Sequence, residues 1–197
     1  MISYNWTEEP DRAELHRLYT LLQEEPSSAT AGLESLANRG SAMSMWYLAD
    51  AYSRRAEIEN ADTAIYWYER AAKAGLVQAA HAVGRIYFEQ NEYSKALVAF
   101  SVGVKAGYAP SLFRLGMMYQ RGSGVSTDYE KCRALLADAA AKGHVFATRN
   151  IMSMYLSHKF GYGQFWRGLL MIPTFLRAVI ALKFIQTEEE LEEHILC

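Results

Sequence analysis

The chain has 197 residues, 51% of them hydrophobic and 21% charged, enough for one domain with a sizeable core and short for two. Twenty Lys and Arg against 22 Asp and Glu leave a net charge of −2, which excludes a chain-wide basic footprint for nucleic acid. Two cysteines exclude a disulfide-dense secreted scaffold and a four-cysteine zinc site, and a reducing compartment is the expectation.

The opening stretch MISYNWTEEPDRAE has neither a basic n-region nor an apolar h-region, so no secretory signal is expected. Residues 1–28 read as an N-terminal helical segment, with a helix near 11–24 and Pro26 after it. From residue 29 to 157 the chain repeats itself. Gly40, Gly75, Gly107 and Gly143 stand 35, 32 and 36 residues apart, and twelve residues after each comes a tyrosine: Tyr52, Tyr87, Tyr119 and Tyr155. Eight residues after come Leu48, Val83, Leu115 and Ile151, so offsets 5, 8, 9 and 12 trace one face of a helix, here helix A. Before each glycine lies a second helix, B, with a small residue eleven positions back: Ala29, Ala64, Ala96 and Cys132. The residues four and three before the glycine (Leu36 and Ala37, Ala71 and Ala72, Gly103 and Val104, Ala139 and Ala140) are small or short. Ala72 is accordingly expected at a tight seam between A and B, and each glycine serves as a C′ stop. Thr127 and Glu130 fit a capping box at the start of the last B helix.

Residues 158–187 read as a basic, apolar C-terminal helix, and 188–197 as an acidic tail. Residues 139–187 hold six bases (Lys142, Arg149, Lys159, Arg167, Arg177 and Lys183) and no acid, whereas 188–197 hold five glutamates. The run 164–186 breaks the repeat. Its longest uncharged stretch, nine residues over 168–176, is too short to span a bilayer, and Pro173 is expected to kink it. The favoured reading is a cap over the last repeat's apolar edge. The other places Phe165, Trp166, Arg167, Arg177 and Lys183 in a membrane interface.

The run from Ala64 to Gly75, AIYWYERAAKAG, and the run from Leu115 to Lys131, LGMMYQRGSGVSTDYEK, resemble the Sel1-like repeat, a relative of the tetratricopeptide pattern. The resemblance covers about residues 29–157 and implies an all-α fold: a right-handed α/α superhelical solenoid of helix–turn–helix repeats, here with an added C-terminal apolar helix. It also implies a bacterial, cytoplasmic, non-catalytic adaptor or scaffold for a protein or peptide partner, in envelope or polysaccharide assembly or in signalling. A membrane-interface-associated assembly factor, peripheral to the inner membrane through 164–186, is the alternative. A secreted branch of the family is linked to β-lactam binding or hydrolysis, but this chain lacks that branch's paired cysteines in each repeat.

The residues offer little chemistry. No two of the five histidines fall at i, i+4, so no metal or other cofactor is expected. Cys132 occupies a small-residue slot of the repeat, which favours a buried thiol over a nucleophile. Gly122-Ser123-Gly124 is the repeat's own turn, Gly161-Tyr162-Gly163 a hinge, and Tyr66, Trp67 and Tyr68 packing residues of helix B. No enzyme is expected. With offsets 5, 8, 9 and 12 in the core, offsets 3, 6, 10 and 13 of helix A turn toward a concave groove. The expected partner-binding residues are Trp46, Asp50, Gln78, His81, Arg85, Phe113, Met117 and Arg149. A nucleic-acid partner is set aside, because the six C-terminal bases are spread through an apolar segment.

Overall fold

The computed structural model describes residues 9–54, 58–157, 162–177 and 179–180. Lys183, the acidic tail 188–197, Lys159 and Gly161 lie outside the described residues, as does the hinge expectation that rests on Gly161. All regular structure among the described residues is helical: α1 (Arg12–Glu24), α2 (Pro26–Asn38), α3 (Ala42–Arg54), α4 (Ile58–Lys73), α5 (Val77–Glu89), α6 (Tyr93–Lys105), α7 (Ala109–Arg121), α8 (Tyr129–Ala141) and α9 (Val145–Leu156). A 3-10 turn at Tyr162–Gln164 leads into α10, residues 165–177. The fold is all-α and built of repeated helix–turn–helix pairs, with α3, α5, α7 and α9 as A helices and α2, α4, α6 and α8 as B helices. The chain groups into two compact units, Met1–Tyr108 and Ala109–Cys197. Each repeat of such a fold packs on its sequence neighbours and shares no single central core.

The turns after the B helices explain the glycine period. Gly40, Gly75, Gly107 and Gly143 have φ of 97°, 95°, 68° and 85°, a region that favours a residue without Cβ. In each turn the glycine N–H donates to the carbonyl three residues back, and the next N–H to the carbonyl five back, as in Gly75 to Ala72 at 3.1 Å and Leu76 to Ala71 at 3.0 Å. The short α5–α6 connection uses Asn91 in the same way: its φ is 61°, and Glu92 N–H donates to the Tyr87 carbonyl at 2.8 Å.

The position eleven before the glycine belongs to the core in every repeat. Ala29, Ala64, Ala96 and Cys132 are all fully buried. The four-before position, Leu36, Ala71, Gly103 and Ala139, is buried too. Ala72 is a correction: it is only partly buried and lines an open cavity, while Ala71 occupies the seam. Tyr66 is a second correction. Trp67 and Tyr68 are buried, but Tyr66 points outward, edge-on to Trp67 at 5.1 Å. Arg70 spans the gap between α4 and the end of α2, its guanidinium 4.8 Å from the Trp67 ring centre and its NH1 donating to Asn38 at 3.2 Å. At the other end of this unit, buried Glu9 accepts from Ser41 Oγ at 2.6 Å and Met43 N–H at 3.0 Å, tying the segment before α1 to the start of α3.

In the second unit the cap of α8 is Asp128, not Thr127. Asp128 has extended backbone (φ −145°) and its Oδ1 accepts from Lys131 N–H at 2.9 Å. Thr127 instead sits by Gly122, where a Cβ would lie 2.9 Å from the threonine hydroxyl oxygen. Pro173 does not interrupt α10, which is helical from 165 to 177. The helix lies against the end of α9: a Cβ on buried Gly168 would come within 2.9 Å of Leu156 Cγ and 3.0 Å of Tyr155 Cβ. No helix among the described residues is long and apolar enough to cross a membrane.

Candidate partner-binding site

The offset-6 side chains of the A helices spend much of their surface on rings within their own unit. Trp46 meets Tyr68 edge-on at 5.0 Å. His81 lies 5.4 Å from Phe100 and 5.6 Å from Tyr108. Phe113 stacks on His144 at 4.5 Å. At offset 10, Asp50 is ion-paired with Arg54 at 2.8 Å, Arg85 with Glu89 at 3.7 Å, and Met117 Sδ accepts from Asn150 at 3.3 Å. Arg149 is exposed, 5.4 Å from the exposed Phe146 ring, and Gln78 is half-buried. Arg85 and Arg149 therefore remain open to a partner, whereas Trp46, His81 and Phe113 are half-buried in aromatic packing.

The first unit opens a different surface. A cavity of about 580 Å³ lies between the B helices α4 and α6, over α5. Ala80 and Val83 of α5 form its floor, Ala72 one wall, and Ala99, Val98 and Val102 the other. The walls here carry small side chains, Ala72 and Ala99, which leave the cavity open above α5. Val98 is 65% exposed and Val102 50%, although both are apolar and one helical turn apart. The buried face of α6 is Ala96, Phe100 and Gly103, so the two valines belong to a second face. Charges mark the rim: Glu69 and Lys73 on α4, one turn apart, have no ion-pair partner among the described residues. Across the cavity Lys95 pairs with Glu92 at 2.6 Å, which raises the lysine's pKa, and sits 5.2 Å from the Tyr87 ring centre. Burial, then the nearby Glu69 carboxylate, raises the Tyr87 pKa.

Sequence periodicity missed this groove, because it depends on the gap between two helices that are not chain neighbours. The signal that could have found it is the pair Val98 and Val102, in phase with each other and out of phase with Ala96, Phe100 and Gly103.

Reactive chemistry is sparse. Cys132 is a free, buried thiol whose pKa is pushed up to about 11 by burial and, less so, by Asp128. Its Sγ lies 3.8 Å from Met154 Sδ. His144 acts as the N-cap of α9, its Nδ1 accepting from Ala147 N–H at 3.3 Å, and burial lowers its pKa. Among the described residues no group of three His, Cys, Asp or Glu could hold a metal ion.

Two of the helix pairs that end in positive-φ glycines, α3–α4 and α7–α8, are matched by the family model for the Sel1 repeat at residues 42–76 and 109–144. The chain carries Sel1 repeats. It is 39% identical over 72 residues to the ERAD-associated E3 ubiquitin-protein ligase component HRD3 of Candida glabrata, a match covering 36% of this chain and 9% of that protein. Among solved structures it resembles c5321, a protective antigen of uropathogenic Escherichia coli strains displaying an SLR fold, with TM-score 0.63 and 27% identity over 74% of this chain and 33% of that one. A Sel1 repeat protein from Oxalobacter formigenes superposes with TM-score 0.68 over 83% of this chain and 71% of its own; at 17% identity the likeness is one of fold. This chain thus spans under a tenth of HRD3 and a third of c5321. Sel1-repeat proteins generally mediate protein–protein interactions as adaptors and are typically non-catalytic scaffolds.

Proposed function

We propose that this chain is a non-catalytic adaptor that holds an amphipathic helical segment of a protein partner in the groove between α4 and α6. The observation that carries this reading is the pair of exposed valines, Val98 and Val102, lining an apolar cavity of about 580 Å³ in a Sel1-repeat scaffold. Apolar pairs one turn apart suit a helix that presents residues at i, i+4 and i+7. Removing each valine's exposed part from water contributes on the order of 1 kcal/mol. Glu69 and Lys73 are also one turn apart, so a partner helix carrying a base and an acid at the same spacing on its flank is complementary to the rim. Arg85, exposed on α5, is proposed as an additional polar contact outside the groove. The buried free thiol of Cys132 suits a reducing, cytoplasmic compartment.

The test is a displayed library of helical peptides selected against the purified chain. Selected peptides should share an apolar i, i+4, i+7 stripe and lose binding on Val98→Arg or Val102→Arg. Peptides that survive both changes but are lost on Arg85→Glu with Trp46→Ala would move the site to the A-helix face and refute the groove.

A further inference from the structure

Helix α10 and residues 179–180 beyond it carry two apolar faces, and among the described residues only one is packed. Gly168 is buried against Leu156 and Tyr155, and Phe165, Leu169, Phe175 and Val179 are half-buried, an inner face at helical spacing. Trp166, Leu170 and Ile180 follow an outer stripe at i, i+4 and i+14, with Leu176 beside it. All four are exposed, Trp166 by 70% and Leu170 by 77%. A solvated helix would place polar residues there. The charges on this helix are Arg167 and Arg177, both exposed, and the sequence from 139 to 187 contains no Asp or Glu. The cap and the membrane interface, alternatives in the sequence, thus correspond to adjoining faces of one helix.

We propose that the outer face of α10 lies in the surface of an anionic lipid bilayer, with α10 parallel to the membrane plane. Exposed apolar side chains on a helix whose own charges are arginines match a layer of acyl chains beneath anionic phosphates, and a tryptophan suits the level of the headgroups. Arg177 lies clear of acids on this helix, while Arg167 shares its surroundings with Glu130 and Arg133. Residues 165–177 rise about 20 Å as a helix, short of the ~30 Å hydrocarbon core, so the segment lies on the bilayer and does not span it. The inner face, anchored through Gly168 on α9, couples the repeats to that surface. This surface is independent of the α4–α6 groove.

The experiment uses the full chain and vesicles of one part phosphatidylglycerol to two parts phosphatidylcholine. Co-sedimentation should be strong in low salt and weaken as salt is added. Tryptophan emission should shift to the blue on binding, and Trp166→Phe should abolish the shift. Arg177→Ser should weaken binding about fivefold, the effect of one base near an anionic surface. Leu170→Ser with Leu176→Ser, both on exposed positions, should weaken it at least about tenfold. If that double variant fails to fold, Arg177→Ser alone decides. Equal binding to pure phosphatidylcholine would overturn the anionic assignment. A chain that ignores both vesicles would overturn the proposal, and self-association lost on Leu170→Ser would then assign the face to a second copy.

Discussion

Gly84 of α5 is where the packing makes its sharpest demand. A Cβ at this position would lie 2.6 Å from Phe100 Cδ1, 2.7 Å from Cε1 and 3.0 Å from Cγ. Carbon atoms prefer about 3.5–4.0 Å, so the ring would have to retreat by about 1 Å. Phe100 is fully buried, with His81 5.4 Å away, and a close-packed interior absorbs such a shift at about 1–3 kcal/mol. Alanine in place of glycine inside a helix returns about 1 kcal/mol of propensity. The balance for Gly84→Ala is a loss of up to about 2 kcal/mol. Gly116, the same offset in α7, is roomier: its nearest neighbours would be Leu136 Cδ2 and Cγ at 3.2 Å and the Cys132 carbonyl oxygen at 3.4 Å, so a shift of a few tenths of an ångström suffices. There the propensity gain should cancel or exceed the clash. Urea unfolding followed by far-ultraviolet circular dichroism separates the two. In a Phe100→Ala background, itself destabilised by about 3–5 kcal/mol, Gly84→Ala should change sign and stabilise. If Gly84→Ala stabilises the native-sequence chain as Gly116→Ala does, the α5–α6 contact is not as close as described.

Other outcomes follow from individual side chains. In a Cys197→Ser chain, Cys132 should resist alkylation near pH 8 while folded and react promptly in urea; stoichiometric labelling of the native state would contradict its burial and its pKa of about 11. Because that pKa is raised, folding favours the protonated thiol, so the contribution is whole below about 9.0 and is lost as pH climbs toward about 11. His144 behaves in the opposite sense. Its pKa is lowered from 6.5 by burial, with Arg114 adding to the effect, so its contribution is present above 6.5 and lost on acidification, when the protonated ring can no longer accept from Ala147. His144→Asn should keep the cap and flatten this acid limb, and an unchanged pH profile would contradict the assignment. Asp128→Ala should lower the melting temperature more than Thr127→Ala, since Asp128 makes the cap; the reverse order would restore the threonine.

Much of the fold was legible because a repeat writes the same physics several times. The glycine period marks left-handed turns, and the tyrosine and leucine offsets mark one helix face, as α3, α5, α7 and α9 show. What failed was detail that a helical period does not carry. Ala71 and Ala72 are both small, and only the helix's rotation decides which is buried and which faces the cavity. Thr127 and Asp128 are both good caps, and the turn through Gly122 and Gly124 settles the choice by placing Thr127 against Gly122. Trp46, His81 and Phe113 are a different case: large rings favour binding sites, and a helical period does not tell how much of each ring stays open. In the structure each has a ring partner. The α4–α6 cavity needed three dimensions, although Val98 and Val102 on the polar side of α6 were its trace in the sequence.

The central claim is that a protein partner's helix sits between α4 and α6. The most direct measurement places a photoreactive benzoylphenylalanine at Val98, at Val102 and, for comparison, at Arg85, in the full chain inside its native cells. Irradiation and mass spectrometry then map each adduct to a residue. The account predicts adducts from Val98 and Val102 to successive turns of one amphipathic segment in one partner, lost when Ala80 in the groove floor is replaced by a bulky Phe. Adducts from Arg85 without any from either valine would contradict it.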